Sequence, residues 1–317
     1  MKTHVNRIRA GFLVAATLVL AGPLAPATRA DTAPDGQQRF ASPREAVKAL
    51  AEATKAGDRA AVDAIFGPEV KDLLSGDARQ DAIEFASFAK SIGKYYRLSK
   101  RSDDLEVVYI GEKGWPMPIP LVRRGGSWVF DTEAGKDEIL SRRIGADEFT
   151  AIGVCRAFVQ AQREYASEDR DGSGVLKFAM RMKSTPGTRD GLFWPAGPDG
   201  EQSPFGPLVA EARAEGYGPK TAEGQPQPFH GYRFKILTSQ GASAPGGSYS
   251  YVINGNLVGG FALVAYPAHW GESGVMTFIV NQWGKVYECN LGAGSADAAA
   301  AMTDFDPDSD WTPVASP

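Results

Sequence analysis

The sequence predicts an α+β protein in which a group of helices and a group of antiparallel strands follow one another twice. Residues 43–92 carry apolar side chains at helical spacing, and short strand-like stretches follow over residues 95–131. A second amphipathic helix is predicted over residues 147–167, ahead of strands separated by glycine turns over residues 229–291. A length of 317 residues suits two such units. This order favours antiparallel sheets with segregated helices over a parallel α/β fold.

The first unit is predicted to open with capped helices. Ser42 has the side chain of an N-cap, Pro43 suits the first helical position, and Gly57 suits the position just after the helix. A second helix is expected from Asp58 and a third over residues 78–92. Four strands are then predicted, over residues 95–98, 105–109, 116–122 and 127–131.

This layout over residues 40–133 resembles the nuclear-transport-factor-2-like (NTF2-like) fold, in which a curved sheet wraps around a helix and leaves a pocket. The resemblance implies a small NTF2-like α+β domain with Trp115, Trp128 and Phe130 at the pocket. The same aromatic side chains also suit an ordinary hydrophobic core. Residues 134–146, which include the pair Arg142-Arg143, are predicted to be a charged connector to the second domain.

The helix over residues 147–167 is predicted to lie across the strands of residues 229–291. One of its sides carries Arg156, Gln160 and Arg163, while the other is apolar and needs a covering sheet. Within the strands, Asn254-Gly255 predicts a type I′ hairpin. The apolar positions of the helix are Phe149, Ile152, Cys155, Phe158, Val159, Ala161 and Tyr165.

The end of this helix, where Ala161-Gln162 is followed by Tyr165, resembles the globular half of type IV pilins and pseudopilins. In those proteins an amphipathic helix leads through an irregular loop into an antiparallel meander. The resemblance implies that residues 147–317 form a pilin-like domain with a helix packed on the meander. The domain is predicted to end in an acidic tail, with Asp304, Asp306, Asp308 and Asp310 as its acids and Phe305 and Trp311 as its anchors.

Residues 1–30 have the three parts of a signal peptide. Lys2, Arg7 and Arg9 precede an apolar stretch, and small residues lead to a cleavage site after Ala30. We therefore expect a periplasmic or secreted protein. No second stretch approaches the roughly 20 apolar residues of a transmembrane helix, so stable membrane insertion after cleavage is not expected.

The charge of the processed chain restricts its partners. Removal of residues 1–30 takes away four basic residues and no acidic one, so the formal net charge changes from −4 to −8. This balance argues against nucleic acid or anionic lipid as the main partner. An envelope protein or a glycan is the expected partner class.

Two cysteines, Cys155 and Cys289, are disulfide candidates because export would place them in an oxidising compartment. Cys155 lies on the apolar side of the predicted helix, and Cys289 ends the last strand of the predicted meander. Two separate buried thiols are the alternative interpretation.

The segment from Asp169 to Leu176 suggests a calcium loop, and Ca²⁺ is the only cofactor that the sequence suggests. Asp169, Asp171 and Ser173 supply oxygens on alternate residues, followed by a glycine. Met180 stands where a calcium loop has its bidentate glutamate. An ordinary turn closed by Asp and Gly is the competing interpretation.

No motif for nucleophilic, zinc or nucleotide chemistry occurs in the sequence. We therefore expect a non-enzymatic binding or assembly module. The alternative is an envelope hydrolase acting on glycan or peptide, with Asp190 near Phe193-Trp194 and Glu272 near His269-Trp270 as its carboxylates. Convergence of these groups in one cavity would favour the enzyme. The candidate pocket residues are Trp194, His230, His269, Trp270 and Glu272.

Long stretches of the chain resemble one bacterial family, the "domain of unknown function 2950". They include WPMPIPLVRRGGSWVFDTEAG, VQAQREYASEDRDGSGVLKFA and GGFALVAYPAHWGESGVMTFIVNQWGKVYE. The resemblance covers nearly the whole processed chain. It implies an exported protein and no particular chemistry.

Overall fold

One long helix is shared by two separate hydrophobic cores. The computed structural model describes residues 36–196, 201–215, 217 and 227–315; the predicted leader of residues 1–30 lies outside them. The first core is formed by side chains between Phe40 and Ile139, and the second by side chains between Ala151 and Val314. Helices and antiparallel sheets together confirm the α+β class. Within the described ranges, no helix is both long and apolar enough to cross a bilayer.

The helices before the first sheet begin at side-chain caps. Ser42 accepts a hydrogen bond from the backbone N–H of Glu45, as its residue type predicts. Gly57 ends the first helix in the left-handed region, with φ 69°. The helices are α1 (Pro43–Ala56), α2 (Arg59–Phe66) and α3 (Ala78–Lys94), with a 3₁₀ turn over Pro68–Leu73.

The first sheet is antiparallel, and its order is β1-β2-β4-β5, with β3 paired to β2. Trp128 and Phe130 are buried in the first core, whereas Trp115 lies at the surface under the guanidinium of Arg142. The strands are β1 (Tyr96–Ser102), β2 (Leu105–Ile110), β3 (Trp115–Pro116), β4 (Leu121–Arg124) and β5 (Ser127–Phe130).

The central helix α4 (Thr132–Tyr165) begins 15 residues earlier than the predicted start at Asp147. Asp131 caps it by accepting a hydrogen bond from Ala134, and the predicted connector of residues 134–146 is helical. Charged residues interrupt the apolar pattern of this segment. They form ion pairs along the helix, such as the pair of Arg142 with Glu138 one turn away.

The second half of α4 confirms most of the predicted apolar face. Cys155, Phe158, Val159 and Tyr165 are buried in the second core. The assignment of Phe149 to this face was wrong, because its side chain is 68% exposed. It lies two residues from the buried Ala151, which places it about 200° around the helix.

The second sheet is antiparallel and has the order β15-β13-β12-β11-β6. The hairpin prediction is confirmed, since Asn254 and Gly255 both have positive φ between two short paired strands. The remaining strands are β6 (Tyr232–Leu237), β7 (Ser239–Gln240), β8 (Tyr249–Ser250), β9 (Val252–Ile253), β10 (Asn256–Leu257), β11 (Ala262–Pro267), β12 (Thr277–Asn281), β13 (Val286–Cys289), β14 (Asp304–Phe305) and β15 (Thr312–Pro313). The remaining helices are α5 (Gly206–Ala214) and α6 (Ser295–Ala301).

The two faces of this sheet have different covers. Phe278 contacts Tyr232 on the face towards α4. Ile279 and Tyr287 are paired across the strands on the opposite face, where Tyr287 meets Phe305 of β14. The predicted acidic tail is therefore part of the fold: β14 pairs with β7, and Phe305 is buried.

Candidate functional site

The predicted pocket residues do not converge. The indole of Trp194 packs beside Tyr165 at the end of α4. His230 lies near the middle of α4. Its neighbour Gly231 packs so closely on Asp147 of that helix that a Cβ there would stand 2.9 Å from Asp147 Oδ2. Eighteen residues of helix separate Asp147 from Tyr165, which corresponds to about 27 Å.

The other three predicted pocket residues occupy an exposed turn between β11 and β12. His269 and Glu272 point to solvent, and Trp270 donates from Nε1 to Asn290 Oδ1 at 3.0 Å. Asp190 lies in a cavity of about 170 Å³ near the end of α4, away from this turn. Its carboxylate accepts hydrogen bonds from Thr185 and Thr188, so it stabilises its own loop.

The predicted calcium loop has its carboxylates engaged by protein donors. Asp169 accepts hydrogen bonds from the backbone N–H groups of Ser173 and Gly174 at 3.1 and 2.7 Å. Asp171 lies 2.7 Å from Lys177 Nζ, whose hydrogen bond lowers the pKa of Asp171 to about 2. An ammonium group on the second acid does not fit a calcium site. Among the described residues, no group of three or more His, Cys, Asp or Glu side chains is placed to hold a metal ion.

The two cysteines are free thiols in this structure. Cys155 is fully buried on α4, and burial raises its pKa to about 12. Cys289 pairs with Thr277 and shares a face of β13 with Tyr287, which is the face turned away from α4. The suggested disulfide therefore does not form here, because strand alternation puts Cys289 on the wrong side of the sheet.

The first arrangement that the sequence analysis missed is a buried polar junction where both units meet α4. Gln80 on α3 donates from Nε2 to Asp147 Oδ1 at 2.9 Å and to Glu84 Oε1 at 3.2 Å. One amide nitrogen thus serves two carboxylates, whose acceptor oxygens lie within about 6 Å of each other. Asp147 is only 1% exposed, and its Oδ2 has no hydrogen-bond partner within the described part of the chain.

Arg143 acts on the junction through its charge and makes its hydrogen bonds to backbone carbonyls. Arg143, one turn before Asp147, donates from Nη2 to the carbonyl of Leu73 and from Nη1 to that of Leu74. Burial raises the pKa of Asp147 to about 7, opposed by the Gln80 hydrogen bond and reinforced by Glu84. Desolvation also raises the pKa of Glu84, but this residue is exposed, so water screens the effect, and Arg143 opposes the rise.

The chain turn at His230 completes the junction from the second unit. His230 and Gly231 have positive φ values of 43° and 71°, a rare conformation for a histidine. The ring packs between Phe229 and Tyr217, and His230 Nε2 lies 2.8 Å from Glu215 Oε2.

A second missed arrangement is a cleft on the face of the sheet opposite α4. It has a volume of about 390 Å³, with Ile279 and Met302 among its apolar lining and Trp311 as its aromatic residue. Its polar lining consists of Ser248, Thr303, Asp304 and Asp306. The sequence predicted Asp304 and Asp306 as part of an acidic tail. The pairing of β14 with β7 brings them to the cleft.

The cleft carboxylates are held in place by neighbouring donors. Asp306 Oδ1 accepts a hydrogen bond from the backbone N–H of Ser243 at 2.7 Å, and Asp304 Oδ2 accepts one from Thr303 Oγ1 at 2.6 Å. Side-chain hydrogen bonds from Ser239 and Thr303 lower the pKa of Asp304. The cleft therefore presents carboxylate acceptors beside an indole.

Comparison with known proteins identifies a family and nothing more specific. No curated protein and no solved structure matches the sequence. A family model described as "Protein of unknown function (DUF2950)" matches residues 37–314, which include both cores, the junction and the cleft. The chain belongs to the DUF2950 family of proteins of unknown function.

Proposed function

We propose that this chain is an exported, non-enzymatic protein of the cell envelope that binds a glycan in the cleft opposite α4. The observation that carries the proposal is the combination of the Trp311 indole with the carboxylates of Asp304 and Asp306 in one cavity. Sugars have apolar C–H faces that stack on aromatic rings and hydroxyl edges that donate to carboxylates. A volume of about 390 Å³ falls within the range of small-ligand sites.

Several observations support binding over hydrolysis. Of the groups considered for an envelope hydrolase, His269 and Glu272 share an exposed turn, whereas His230 and Asp190 lie elsewhere. Asp190 is engaged by threonines of its own loop. In the cleft, the lowered pKa of Asp304 is the opposite of what a general acid needs near neutral pH.

The binding test compares two tryptophans. Trp311→Ala should weaken binding to isolated peptidoglycan sacculi about tenfold, because it removes the stacking surface. Trp283→Ala is the matched control, since Trp283 is 71% exposed on the turn between β12 and β13 and does not line the cleft. Co-sedimentation measures both affinities. Because Trp311 also packs partly against the second core, Asp304→Asn provides a second variant with less loss of packing.

The outcomes separate the candidate functions. Equal sacculus binding by both tryptophan variants, or no binding by the wild type, would reject the glycan site. Release of soluble fragments from the sacculi by the wild-type protein would instead establish the hydrolase. Capture of an envelope protein in a manner that depends on Trp311, without sacculus binding, would replace the glycan by a protein partner.

We also expect export with cleavage after Ala30. The charged start, the apolar stretch and the small residues before Ala30 are the motivation. Intact-mass measurement of the native protein should give a chain that begins at Asp31. Recovery of the native protein with residues 1–30 still attached would contradict cleavage.

A further inference from the structure

Two carboxylates from different elements share a single neutral donor at the junction between the units. Glu84 comes from α3 and Asp147 from α4, and Gln80 donates to both. The carboxylate of Glu84, which is exposed, adds negative charge beside the buried Asp147 and disfavours the ionisation of Asp147.

We propose that this junction is a proton-operated lock, in which a proton held by Asp147 keeps α3 against α4 and the loss of that proton loosens the contact. With the proton present, Asp147 is neutral, and Gln80 bridges it to the carboxylate of Glu84. With the proton absent, Asp147 carries a buried charge on a carboxylate whose Oδ2 has no hydrogen-bond partner in the described part of the chain. Movement of α3 away from α4 would let water reach the carboxylate from the side of Oδ1, which faces Gln80.

The groups around Asp147 compensate its negative charge only in part, because Arg143 opposes the rise of its pKa while Glu84 and Asp77 reinforce it. Arg143 is the facing cation on α4, and its guanidinium is held by the carbonyls of Leu73 and Leu74. The other facing groups are Asp77 and Asp81 at the start of α3, and Tyr217 and His230 from the second unit, with His230 bonded to Glu215. Asp77, Asp81 and Glu84 add negative charge, so ionisation of Asp147 meets net repulsion.

The direction in which pH changes the stability of the junction follows from the raised pKa values. The pKa values of Asp147 and Glu84 are both raised, so the folded chain keeps these protons to higher pH than the unfolded chain does. The contribution of the junction to stability is complete below the ordinary carboxyl value of 3.8 and is lost as the pH rises towards about 7.

Hydrogen exchange on the full chain tests the lock. After correction for intrinsic rates, the amide protection of α3 should fall roughly tenfold between about pH 5 and about pH 8 in the wild type. Asp147→Asn removes the titrating group and keeps an acceptor for Gln80, so protection should become nearly independent of pH. Asp137→Asn is the matched control, because Asp137 is an exposed acid on the same helix; it should behave as the wild type does.

Glu84→Gln keeps the test decisive if Asp147→Asn does not fold. This second variant removes the exposed negative charge beside Asp147 and should reduce the pH dependence without abolishing it. Wild-type protection of α3 that does not change with pH would overturn the proposal. So would a pH dependence that survives in Asp147→Asn, because another group would then control it.

Discussion

Val159→Asp should destabilise the protein by about 4 kcal/mol, because it places a carboxylate with no partner in the second core. Val159 is 2% exposed, and its Cγ1 lies close to the turn at Gly284 between β12 and β13. Total stabilities of such domains are of the order of 5–15 kcal/mol, so this change would remove a large share. Chemical unfolding, monitored by tryptophan fluorescence, measures the difference.

Gln160→Asp is the matched control for this change. Gln160 is the next residue on α4 and is exposed, so the same new carboxylate would stay hydrated. We expect the control to unfold within about 0.5 kcal/mol of the wild type. Equal unfolding of Val159→Asp and the wild type would show that α4 does not pack on the sheet through this face.

Gly274→Ala should cost about 3 kcal/mol, through overpacking against a rigid ring. A Cβ at Gly274 would stand 2.6 Å from Cζ of Tyr232 and closer still to its hydroxyl. Tyr232 is fully buried, and its hydroxyl donates to the carbonyl of Met276 at 2.8 Å. The ring therefore cannot turn aside without breaking that bond or disturbing Phe278 beside it.

The same methyl group placed elsewhere should have the opposite effect. Gly153 lies in α4 with nothing within 4 Å of its hypothetical Cβ. Gly153→Ala should therefore raise stability by about 0.5–1 kcal/mol, because alanine favours the helix. Thermal unfolding of both variants gives the comparison. A stability loss for Gly274→Ala below about 0.5 kcal/mol would mean that the turn at Gly274 adapts freely.

Local features of the fold were predictable because neighbouring residues determine them. Ser42 caps α1, and Asn254-Gly255 turns the hairpin, since each needs only backbone groups a few residues away. The apolar side of α4 around Phe158 was predictable for the same reason, from helical spacing alone. The α+β class follows from such patterns.

The candidate sites were not predictable, because they join side chains that are distant in the sequence. Gln80 and Asp147 are separated by 67 residues, and Asp147 stood out only as the first residue of a predicted helix. In the cleft, Asp304 meets residues near Ser248 only because β14 pairs with β7 and β7 with β8. The pocket proposed around Trp194 and His230 failed because proximity in sequence to aromatic residues does not determine proximity in space.

By itself, the sequence determined the family, the class of fold and the apolar faces that had to be covered. Only the tertiary structure decided which partner covers each face: α4 lies on one side of the second sheet and the segment with Phe305 lies on the other. This packing places Cys289 on the side of the sheet away from Cys155. The packing of α3 beside α4 buries Asp147 next to Gln80. The physical reason is that burial and charge proximity, which set the pKa of Asp147 and the lining of the cleft, arise from long-range packing and have no local sequence signal.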